Sequence, residues 1–309
     1  MSEYQNDCRE HSEVLKRRRQ GLSIDVELPT LSRKGEHRRK NSHGLPHCQG
    51  LYEEVPEHQK NPFIYGSYRV NFDSKLNCIR SLFMLHNESL NTWTHAAACL
   101  YFIYKAIKFV WHIKGTWKFE DVVVFIPLCS CIWCMAASSW FHLLLCLPCH
   151  KTHLCLLSAD MAGILMVIFT LYFGVVSLCF GKERIALQSA YLTYTVLAGL
   201  LAVMPLTMKR LSSWGKLGMI AFALSCALPV GHFISVANIA ELQAFGLPSV
   251  ACAFFFLVAL VFYFSFWPEC QYPGKCDIWL HSHTLWHIFV FLGIWAAVQG
   301  LLALHALRT

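Results

Sequence analysis

Charged residues in this chain fall at intervals that suit only one kind of structure. Uncharged runs of 29 residues separate Asp121 from Lys151, 21 separate Asp160 from Lys182, and 24 separate Arg184 from Lys209. Further runs of 24, 27 and 30 residues separate Lys216 from Glu241, Glu241 from Glu269, and Asp277 from Arg308. A bilayer core of about 30 Å takes roughly 20 apolar residues of helix at 1.5 Å per residue. Each run therefore holds one crossing and is too short for two, which gives six spans. Backbone groups in hydrocarbon must be satisfied within their own segment, so the spans are helices. Composition agrees: of 309 residues, 55% are hydrophobic and 15% charged, against about 45–50% and about a quarter in average globular chains. These values exclude a soluble single-core enzyme, and they exclude disorder for the bulk of the chain.

Residues 90–111 form a seventh apolar stretch, with Lys105 and Lys108 near its far end, where lysine can reach the headgroups. The fold class expected is an all-α membrane protein of seven transmembrane helices over residues 91–309. Pro148, Pro205 and Pro248 are placed at or near span ends, whereas Pro229 lies inside the fifth span and predicts a kink. The 15 cysteines lie mostly within spans, where they act as small apolar residues and argue against a disulfide scaffold.

Residues 1–60 carry 11 Lys/Arg and 10 Asp/Glu and read as a disordered cytoplasmic tail, with contact to anionic lipid headgroups as the rival role. The basic clusters lack interleaved aromatics, so nucleic acid is not an expected partner. Residues 61–90 read as an ordered juxtamembrane segment ending in a short interfacial helix. Lys and Arg near the spans divide evenly between the two faces and do not set orientation. The basic tail, and the lack of a signal-like apolar run before residue 90, favour a cytoplasmic N-terminus and an external C-terminus. In that orientation the sequon Asn87-Glu88-Ser89 stays unused. The expected location is a multi-pass protein of the plasma membrane or an internal membrane.

Ionisable groups inside a membrane are costly and are functional candidates by default. Ser138 and His142 lie four residues apart near the end of the second span, Asp160 opens the third, and His283 and His287 form an i, i+4 pair near the start of the seventh. Counting crossings puts all three positions at the same membrane face. An imidazole from span two and two from span seven, with a carboxylate from span three, could converge there as an open tetrahedral zinc arrangement. His281 is about 200° from His283 around the helix and cannot share its ligand. Cys146-Leu147-Pro148-Cys149-His150, with His153, looks like a metal or redox motif locally but reads as an incidental cluster. Glu88 and His95 read as residues that cap and hold the first helix.

Gly66-Ser67-Tyr68-Arg69 and His86-Asn87-Glu88-Ser89-Leu90-Asn91-Thr92-Trp93-Thr94-His95 resemble signatures of the progestin and adipoQ receptor family. Ser138-x-x-x-His142, Asp160-x-Ala162-Gly163-Ile164 and Ser282-His283-x-x-x-His287 resemble its remaining motifs, in the same order. Pro268-Glu269 and the approach to Asp277-Ile278-Trp279 lean towards the adiponectin-receptor branch. The resemblance covers about residues 61–305. It implies a zinc ion held by His142, His283 and His287, with Asp160 and Ser138 around the metal-bound water, and ceramide as an amide substrate. The chain departs from the family pattern at Met161, at His281 and in a His142-to-Asp160 stretch about one residue longer than usual. An extracellular protein or steroid ligand and a homo-oligomer stay open as partners beside membrane lipid. A receptor or scaffold with purely structural zinc is the second reading. A G-protein-coupled receptor is the third, but span three lacks an Asp-Arg-Tyr type motif and span seven carries HxxxH in place of Asn-Pro-x-x-Tyr.

Overall fold

The computed structural model describes residues 45–207 and 212–309. A two-stranded antiparallel ribbon comes first, β1 (His47–Gly50) against β2 (Tyr68–Val70), with 3-10 turns at Tyr52–Glu54 and Glu57–Gln59 between them. A short helix α1 (Lys75–Arg80) leads into α2 (Ser89–His112), α3 (Phe119–Leu144), α4 (His150–Cys179) and α5 (Ile185–Thr207). The chain continues through α6 (Ser212–Ser225), α7 (Ala227–Val236), α8 (Ile239–Ser265) and α9 (Ser282–Arg308).

Among the described residues, six segments are long and apolar enough to cross a membrane: α3, α4, Ile185–Val203 of α5, Leu217–Val236 across α6 and α7, α8 and α9. The protein is an integral, multi-pass, all-α membrane protein. The seventh expected crossing corresponds to α2, an unbroken helix of 24 residues. Its hydropathy is diluted by its polar first turns and by Lys105, whose ammonium reaches Gln299 Oε1 at 3.4 Å. Burial separates an inner group of helices from an outer one. Half or slightly more of the apolar window is buried in α3, α4 and α9, but only 11% in α8. The stripe Leu247, Val250, Phe254, Leu257, Val261 and Phe264 on α8 is exposed, as a lipid-facing helix surface should be.

Two close approaches hold the inner helices. A Cβ at Gly163 would lie 2.9 Å from Cys134 Cα, and one at Gly174 would lie 2.5 Å from the Val123 carbonyl oxygen. Small residues let α4 lie directly against the α3 backbone, which is how membrane helices pack when no water drives them together.

Three expectations need correction, and the kink expected at Pro229 is present. The tail expected over 1–60 is ordered at its end: residues 45–60 contain β1 and both 3-10 turns, because Val55, Ile64 and Tyr68 bury one another in a small core. Residues 1–44 lie outside the described residues. Asp160 does not open its helix; α4 begins at His150, so Asp160 stands about three turns in. Pro248 lies well inside α8, where its ring packs at Gly300 of α9. The break in the fifth span falls at Cys226, just before Pro229. Proline cannot donate to the carbonyl four residues back, and the freed Ser225 oxygen accepts instead from Tyr172 Oη at 3.2 Å.

Gly174→Ala is expected to lower the melting temperature in detergent, with overpacking of about 1–3 kcal/mol outweighing the helix propensity gained. Gly231→Ala faces open space and should leave it unchanged or slightly raised.

Candidate metal centre

The site is assembled at the ends of helices. Arg69, buried on β2, donates to the carbonyls of His142 at 2.7 Å and Leu143 at 2.6 Å, and to Ser81 Oγ at 3.1 Å. The last carbonyls of a helix have no internal partner, and a guanidinium here satisfies two of them while fixing the turn that carries His142. The start of α9 is fixed by Glu269, whose carboxylate accepts from Ser282 N at 2.6 Å and from Ser282 Oγ. Acidic groups favour the positive end of a helix, and this one sets the position of His283. Asp277 accepts from Gly66 N at 2.7 Å and Tyr65 N at 3.3 Å, joining the α8–α9 loop to the segment that carries Arg69.

His142, His283 and His287 converge, each offering one ligand atom, all within 4.8 Å of one another. His142 Nε2 and His283 Nε2 are 3.3 Å apart. Two nitrogens at 2.0–2.1 Å from one tetrahedral zinc lie roughly 3.3 Å apart, so this spacing suits a shared ion. The outer nitrogens are committed elsewhere. His142 Nδ1 donates to Glu88 Oε2 at 2.7 Å, and His287 Nδ1 to the Asn91 carbonyl at 3.2 Å. In both rings Nδ1 carries the proton, which turns the Nε2 lone pair towards the cluster. A ligand imidazole held by a carboxylate or carbonyl through its other nitrogen is the usual support of a zinc site. The donor set fits zinc, which accepts imidazole nitrogen readily.

Asp160 lies beside buried Ser138 and within electrostatic reach of His142. It is outside the set of mutually close ligand atoms, so the arrangement is three imidazoles with a carboxylate–hydroxyl pair beside them. The Gly163–Cys134 approach one turn along α4 is what lets Asp160 reach Ser138. His281 is buried but turned away, with Nε2 3.0 Å from the Asn87 carbonyl. Asn87 itself is 2% exposed, which closes the sequon in the folded chain.

Two residues do more than the sequence reading gave them. Glu88 bonds His142 and also accepts from Asn91 Nδ2 at 2.7 Å, while Thr284 Oγ1 donates to Asn91 Oδ1 at 2.7 Å. Burial alone raises the Glu88 carboxyl, but its bonds to His142 and Asn91 and the neighbouring histidine charge outweigh this and hold it well below the usual carboxylate range. His95 stacks on His287, ring centroids 3.7 Å apart at 13°. The cue for Glu88 was its place three residues before Asn91 at a helix start facing the active interface, which local reading assigns to capping.

The Haemolysin-III related family model matches residues 83–298. A human relative, progestin and adipoQ receptor family member 3, is 30% identical over 77% of this chain and 79% of its own length. The chain is a haemolysin-III-related protein of the progestin and adipoQ receptor family. ADIPOR-like receptor IZH2 of Saccharomyces cerevisiae is 29% identical over 81% of this chain and 82% of its own. Progestin and adipoQ receptor-like protein 1 of Caenorhabditis elegans is 26% identical over 81% of this chain. The chain spans 59% of that protein and 58% of the adiponectin receptor protein of Drosophila melanogaster. The matched residues 83–298 include Glu88, all three histidines, Ser138 and Asp160.

Glu88→Gln is expected to weaken zinc binding about 10–100-fold, as loss of a supporting carboxylate does elsewhere. His281→Ala should retain full stoichiometry. Equilibrium titration from a zinc buffer measures both.

Proposed function

We propose that this protein is an adiponectin-receptor-like membrane receptor that holds zinc through His142, His283 and His287 and hydrolyses a lipid amide of the ceramide class. The observation that carries the reading is the pairing of Asp160 with Ser138 beside the three imidazoles. A bound zinc ion supplies Lewis acidity towards an amide carbonyl and acidifies water at its open position. The chain's own groups divide the remaining work. Asp160 takes a proton from the attacking water and returns it to the leaving amine. Ser138 uses its single O–H to orient the Asp160 carboxylate. Glu88 and Asn91 hold His142 and His287 in the tautomers that present Nε2. The apolar helix surfaces let a lipid reach the site from within the bilayer. The cytoplasmic N-terminus belongs to this reading and puts the histidines on the cytoplasmic side.

A steroid- or lipid-responsive receptor or scaffold whose zinc is only structural is the second reading, and its steroid-receptor part draws on the name of another relative. Membrane progestin receptor alpha of Homo sapiens is 27% identical over 80% of this chain.

Asp160→Asn separates the two. With the three histidines intact it should keep nearly full zinc, while fatty-acid release from ceramide per bound zinc falls by about 10²-fold or more, the size of lost general acid–base help. Undiminished release per zinc removes Asp160 from the reaction. No zinc-dependent release by the wild type favours the structural reading. Orientation is tested by epitopes at residue 5 and after Thr309: only the second should be reached from the non-cytoplasmic side.

A further inference from the structure

A second group of histidines lies outside the site described above. His150 and His153 occupy the first turn of α4, three residues apart and on one face. The 3-10 turn Glu57–Gln59 brings His58 against them. Ring centroids are 4.7 Å apart for His58 and His153, 5.8 Å for His58 and His150, and 6.0 Å for His150 and His153. In the deeper cluster the corresponding separations are 4.7, 4.7 and 5.0 Å. Imidazoles sharing one tetrahedral zinc have centroids roughly 5 Å apart, given the Zn–N bond lengths.

Bonding within the group points the same way. His153 is only 9% exposed, yet its Nδ1 has no hydrogen-bond partner, and neither has His58 Nε2. A buried polar nitrogen without a partner costs free energy comparable to a lost hydrogen bond, and this cluster holds two of them. His150 is exposed and free to swing towards the other two. The local sequence Cys149-His150-x-x-His153 looks incidental by itself; the distant His58 is what completes the set.

We infer that His58, His150 and His153 form a second site for a borderline divalent transition metal, with zinc the expected occupant. Imidazole donors suit zinc, copper and nickel and are poor for magnesium or calcium. An ion there ties the N-terminal segment to the start of α4. That segment also carries β2 and the Arg69 cap on α3, so the link bears on the region covering the first site.

The test uses the full chain in detergent, stripped with a chelator and reloaded from buffered zinc alone. Two zinc equivalents per chain are expected for the wild type and one for His58→Gln or His150→Gln. His283→Ala with His287→Ala should also retain one, which distinguishes failure of this site from failure of the deeper one. A wild type that takes up a single equivalent, at zinc well above that saturating the first site, overturns the inference. So does a His58→Gln variant that still binds two. Melting provides a readout that does not need stoichiometry. Zinc should raise the melting temperature of the His283→Ala, His287→Ala protein by mass action, and adding His58→Gln should remove that rise. Its persistence in the triple variant counts against the site.

Discussion

A carboxylate in a low-dielectric interior must be paired and fully hydrogen-bonded, or it does not stay charged. Glu88 meets that condition by accepting from His142 Nδ1 and Asn91 Nδ2 at 2.7 Å each. Much of the histidine cluster's geometry depends on this. The pair joins the start of α2 to the end of α3, and Asn91 carries the link to α9 through Thr284 and His287. Three helix ends therefore meet around one anion. Because His142 and His287 are held through Nδ1, their Nε2 atoms are left without those partners, and His142 Nε2 meets His283 Nε2 at 3.3 Å, an arrangement with little to recommend it unless a cation is shared.

The fold was legible because charge placement in a membrane protein obeys a severe constraint. Runs without Asp, Glu, Lys or Arg locate six helices, and the parity of crossings puts His142 and the His283/His287 pair at one face. What the sequence hid was everything short-range in space and long-range in sequence. Glu88 sits just before a helix, where an acidic residue is explained by capping alone, and nothing local says that its partner is 54 residues away. The order of residues 45–60 was hidden by their charge. Glu53, Glu54 and Glu57 are exposed, and the few apolar residues that fold this segment find partners at Ile64 and Tyr68. Asp160 reads as a helix start because it opens a charge-free run, although His150 and Lys151 continue the same helix outward.

Helix packing accounts for the precision that the site requires. A donor set works only if its members are held within a fraction of an ångström, and flexible long side chains between helices do not give that. Along α4, Gly163 and Gly174 remove the side chain and let backbone meet backbone, so the α3–α4 spacing is set by hard contact. On the other side, Gly293 and Gly300 of α9 receive Phe256, Phe245 and Pro248 from α8. Aromatic knobs fill these positions, and Ile294, Val298, Leu301 and Leu304 of the same helix are buried.

The far end of α9 completes the constraint. His305 Nε2 meets Asp121 Oδ1 of α3 at 2.8 Å, and Arg308 pairs with Glu241 at the start of α8 while donating to Leu178 O of α4 at 3.0 Å. These ties lie at the opposite membrane face from the histidines, about six turns along the helix from His283. A helix fixed only at its metal end could still rotate about its axis. Residues four apart sit about 40° out of line, so a small rotation would carry His283 towards His142 as it carried His287 away. Clamping both ends fixes the rotational phase, and the glycine–aromatic packing fixes it between them. The polar clusters at the two faces thus belong to one mechanical system, with the far one maintaining the orientation in which both imidazoles of α9 address the same point.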